Sequence, residues 1–106
     1  MPLRHFVHVV GFQVPVGDAF LREPMLVMLD RVPREAWRAV FQLCVEELPD
    51  SLLREPPRIE GAEVQVFLAQ APQRALVGEV RRFVERVNRM TFLREGSTLH
   101  GGRTGS

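Results

Sequence analysis

The chain has 106 residues, 45% of them hydrophobic and 25% charged, which is the composition of one ordinary globular domain and too little chain for a barrel enzyme or a full dinucleotide fold. Fourteen basic residues against thirteen acidic ones leave a formal charge of +1, so any electrostatic function is local. One cysteine, Cys44, excludes an intramolecular disulfide and a cysteine-rich zinc site.

All fourteen basic residues are arginine and tyrosine is absent. The arginines are spread along the whole chain, so a GC-rich coding sequence explains them more simply than selection for bidentate anion contacts. The amino terminus lacks the pattern of a secretory leader. No run approaches the ~20 apolar residues that span a bilayer. The expectation is a cytoplasmic protein without a membrane segment.

Prolines punctuate the chain, because each removes a backbone donor and restricts the residue before it. Between Pro2 and Pro15, LRHFVHVVGFQV is dense in β-branched and aromatic residues and predicts a long first strand with a possible bulge at Gly11. VGDAFLRE reads as irregular, and PMLVMLDRV as a second strand able to form a hairpin with the first. PREAWRAVFQLCVEEL predicts a helix opened by Pro33, with Ala36, Val40, Cys44 and Leu48 on one apolar face beside Trp37 and Phe41.

PDSLLREPP reads as a loop or a single turn. In PRIEGAEVQVFLA, Gly61 separates two short extended pieces, and Val64, Val66 and Leu68 alternate with Glu63 and Gln65 as on a strand buried on one side. From Pro72 to Glu95, Leu76, Val77, Val80, Phe83, Val84, Val87 and Met90 fall in one arc at 100° per residue, predicting an amphipathic helix packed on the sheet. The fold class is therefore α+β: a small, mainly antiparallel sheet with two amphipathic helices in the order β-β-α-β-α. Residues 1–94 form the single domain and 95–106, rich in glycine, a flexible tail.

Chemistry-bearing clusters are scarce. His5 and His8 stand three apart on a strand, which sends them to opposite faces, so metal binding is not expected. Cys44 falls on the apolar arc of its helix and reads as a small core hydrophobe. No cofactor motif and no catalytic set is found. Arg82, Arg86 and Arg89 share one side of the last helix within about 60°, flanked by Arg74 and Arg81; they read either as a solvated face or as a strip for nucleic acid or an acidic partner.

Both strands of the first hairpin are apolar on two faces, more than two helices on one side of the sheet can cover. The surplus predicts a homodimer with Leu3, Val7, Val9, Met25, Val27 and Leu29 in the contact, and pairing at an edge strand is another form of the same association. The functional expectation is a small non-enzymatic interaction or regulatory domain that self-associates. The alternatives are an accessory nucleic-acid-binding protein using the arginine strip, and an enzyme with a site assembled at a subunit interface around Cys44 or a histidine.

Overall fold

The computed structural model describes residues 6–49 and 51–104, with side chains through residue 95. The chain forms β1 (Val9–Gln13), a 3-10 turn (Gly17–Leu21), β2 (Met25–Leu29), α1 (Glu35–Val45), β3 (Leu53–Glu60), β4 (Glu63–Leu68) and α2 (Arg74–Thr104). The four strands make one antiparallel sheet in the order β1-β2-β4-β3, so the fold is α+β.

Two hairpins build the sheet, and each has a local reason in the sequence. β1 and β2 pair across the 3-10 turn, with the register shifting between Val9 and Gly11; the irregularity expected at Gly11 leaves Val10 as the extra residue. A Cβ at position 11 would come to 3.3 Å from the Met28 Cε, so a larger residue there requires the end of that flexible side chain to shift. β3 and β4 turn at Gly61, whose φ of 58° is open to glycine at little cost.

The first part of β3, Leu53 to Pro57, is read from the sequence as a loop or a single turn, and only its end before Gly61 as extended. It runs through Pro56 and Pro57, which would break a central strand but are tolerated at an edge, where an amide donor has no neighbour to serve. α1 begins at Glu35, two residues later than Pro33 suggests, because Arg34 is still extended and directs its guanidinium to Glu95. α2 continues as helix to Thr104, so its backbone runs through most of the stretch expected as a tail over 95–106; the side chains past Glu95 and residues 105–106 lie outside the described residues.

Side chains alternate across the sheet, so each register pair assigns two residues to one face. Phe12, Val27, Val64 and Ile59 share the face that both helices cover, while Met28 and Glu63 share the other. Trp37, Val40, Phe41 and Cys44 of α1 meet Val84 and Val87 of α2 above that face, as the helical periodicity predicts. Val80 and Phe83 are only partly buried. Trp37 stacks on Phe41 within α1, and an edge-to-face contact of Phe41 with Phe83 joins the two helices.

One polar residue closes this core. Asn88 Oδ1 accepts hydrogen bonds from the Val7 amide at 2.9 Å and from Trp37 Nε1 at 2.8 Å, while its Nδ2 donates to the Val7 carbonyl at 2.8 Å. A buried amide side chain is costly unless its groups are paired, and this one is paired on both ends. The chain entering β1 is thereby fastened to both helices. Thr91 on the same side of α2 donates its hydroxyl to the Val87 carbonyl at 2.7 Å.

Candidate interaction surfaces

Four of the six residues expected to form a dimer contact are buried within their own chain. Met25 and Val27 are 0% and 1% exposed, and Val7 and Leu29 are also buried, all beneath the helices of their own chain. Val9 is half-buried against the same core, and Leu3 lies outside the described residues. Both faces of β2 are apolar in the sequence, so periodicity left open which one the helices would take. They take the Met25, Val27 and Leu29 side.

The opposite face is not bare. Arg54 and Arg58 of β3 stack on the Phe67 ring at 5.4 and 5.5 Å, and Glu55 forms ion pairs with both guanidiniums. Arg54 also donates to the carbonyl of Phe20 in the 3-10 turn, tying that turn to the β3 edge. Leu26 and Met28 remain half-buried on this side.

The two edges of the sheet differ in chemistry. β3 carries Arg54, Glu55, Arg58 and Glu60 together with two prolines, the devices by which an edge resists pairing with another chain. β1 has neither a charge nor a proline over Val9–Gln13, and the uncharged stretch extends to Gly17. Apolar side chains accompany it: Val10 is 63% exposed, Val14 38% and Val16 86%. The bulge at Val10 interrupts this edge over one residue, and Arg81 reaches the Val9 carbonyl at 3.4 Å while lying over the Phe12 ring at 5.3 Å. Gly11 to Gln13 continue in regular pairing with β2 on one side only.

The arginines of the last helix differ in their contacts. Arg86 is in an ion pair with Glu47, just beyond the end of α1, and Arg81 serves β1. Arg82 lies near Gly78, with its Nη1 3.6 Å from where a side chain at that position would begin. Arg89 and Arg74 are exposed.

Cys44 is buried, with its Sγ 3.6 Å from the Met90 sulfur, and burial pushes its thiol up from the ordinary cysteine range. His8 is exposed, while His5 lies outside the described residues. Among the described residues no three His, Cys, Asp or Glu side chains gather as metal ligands, and no helix is long and apolar enough to cross a membrane.

Sequence reasoning missed a cavity of about 420 Å³ between the sheet, the residues after α1 and the first turns of α2. Val27, Val64 and Val66 supply its sheet wall, and Phe41, Val80 and Phe83 its helical walls. Its lining comes from five separate stretches of chain, each of which reads in isolation as ordinary core or loop. A more open groove of about 660 Å³ between α1 and β3 carries charges of both signs, among them Glu35, Arg38, Arg58 and Glu60.

No family model matches the chain, and no curated protein or solved structure matches it significantly.

Proposed function

We propose that the protein is a small non-enzymatic interaction module that self-associates, two copies aligning their β1 strands antiparallel across a twofold axis. The observation that carries this reading is the contrast between the edges: β3 is blunted by Pro56, Pro57 and four charges, whereas β1 offers an uncharged strand flanked by exposed valines. Pairing of that strand with its own copy places no charged residue of Val9–Gln13 against a like charge and extends the sheet to eight strands. A twofold contact is closed, so assembly stops at two. The apolar face expected to form the contact is replaced in this reading by a backbone edge, the other form of association that the sequence allows.

Sedimentation equilibrium of the full chain tests it. The expected result is a mass that rises with concentration to twice that of the chain. Val10→Lys, at an exposed site where substitution should alter stability by less than ~0.5 kcal/mol, brings two like charges together across the axis and should shift the population to monomer. A wild-type mass that stays at one chain across the concentration range overturns the reading.

A further inference from the structure

The geometry points to the 420 Å³ cavity as a binding site for a small amphiphile with an apolar body and an uncharged or cationic head that donates hydrogen bonds. Its size falls in the range of small-molecule pockets, about 300–1,000 Å³, and such sites combine an apolar lining with a few placed polar groups. Both features are present. Val64 and Val66 of β4, Phe41 of α1 and Leu76, Val80 and Phe83 of α2 give a body of hydrocarbon something to displace water from.

The polar groups are few. Gln70, Gln73 and Glu79 are the polar members of the lining, and all three are exposed. Two side-chain amides and a carboxylate offer acceptors to a hydroxyl or an ammonium group. Among the described residues the lining holds no cation, and no basic side chain pairs with Glu79. Of the nearby arginines, Arg86 is engaged by Glu47 and Arg82 lies near Gly78. Arg74 precedes these turns of α2 but does not line the cavity. A carboxylate head would therefore meet the charge of Glu79 without a compensating partner in the lining.

The site is separate from β1 and stands or falls independently of self-association. Its test is binding of decanol, decylammonium and decanoate to the full chain, followed by two-dimensional NMR. Decanol and decylammonium should shift the resonances of Val66, Leu76, Val80 and Phe83, with decanoate binding about three- to tenfold more weakly than decanol. Glu79→Gln, at an exposed position, should bring decanoate to within twofold of decanol. Failure of decanol to shift these resonances would show that the cavity is not a binding site. Equal binding of decanol and decanoate by the unaltered protein would overturn the assignment of the head group.

Discussion

The two edge strands of this sheet face the same hazard and answer it differently. An edge presents unpaired amides and carbonyls to any other strand, and β3 meets that exposure with Pro56, Pro57 and alternating charge, reinforced by the stack of Arg54 and Arg58 on Phe67. β1 has one bulge and one arginine at a single carbonyl, and its side chains are apolar or uncharged. The contrast between a defended edge and an open one is what supports the proposed contact at β1. β1 is also fixed from within: Asn88 holds Val7, two residues before the strand, to Trp37 and so to both helices.

The largest effect should come from cutting that internal fastening. Asn88→Leu leaves the Val7 amide and carbonyl and the Trp37 indole N–H without their partner in a buried place, and is expected to cost at least ~3 kcal/mol in denaturant unfolding. If β1 owes its position to Asn88, the variant should also lose self-association at concentrations where it remains folded. A midpoint close to that of the unaltered protein would show that the fastening is dispensable.

Phe67→Ala makes the matching cut on the guarded side. It removes the ring beneath both guanidiniums, and two partly exposed cation–π contacts together contribute ~1–2 kcal/mol. Stability should fall by about that amount while the assembly mass stays unchanged. A change in oligomeric state with this variant would mean that the β3 side takes part in the contact and that the edges are not as distinct as proposed.

The helical half of this architecture was readable in the sequence, because a 3.6-residue period over Ala36–Leu48 and Leu76–Met90 names the buried side without reference to the rest of the fold. The sheet was less readable for three physical reasons. Pro56 and Pro57 signal a break unless the strand is known to lie at an edge, and edge status belongs to the topology. Both faces of β2 are apolar, so the side that receives the helices depends on packing. Asn88 reads as a polar interruption of an apolar arc until Val7, 81 positions away, arrives to use it. Its place beside Val84 and Val87 on the helical wheel was the available signal. Of the candidate surfaces, pairing at an edge strand was an expectation that named no strand, because edge status belongs to the topology, and the cavity was not visible at all.

The smallest effect concerns acid. Burial raises the Asp30 carboxyl, but the hydrogen bond from the His8 amide at 3.0 Å, helped by Arg31, outweighs it and holds the group below the ordinary aspartate range. A carboxyl depressed by folding adds stability above its unfolded value and loses it as pH falls through the folded one. Asp30→Asn should therefore flatten slightly the acid side of the stability profile and leave the neutral and basic sides parallel to those of the unaltered protein. Because Asp30 joins the chain before β1 to the end of β2, an unchanged acid limb would remove it from the supports of that edge.

The most direct measurement of the central claim is hydrogen exchange of individual backbone amides at low and high protein concentration. Paired β1 strands would protect those amides of Val9–Gln13 that do not bond to β2, and protect them more as concentration rises, while the outward amides of Leu53–Glu60 exchange at the same rate throughout. Exchange in β1 that is independent of concentration, or protection that grows equally at β3, would contradict the assignment of β1 as the self-associating edge.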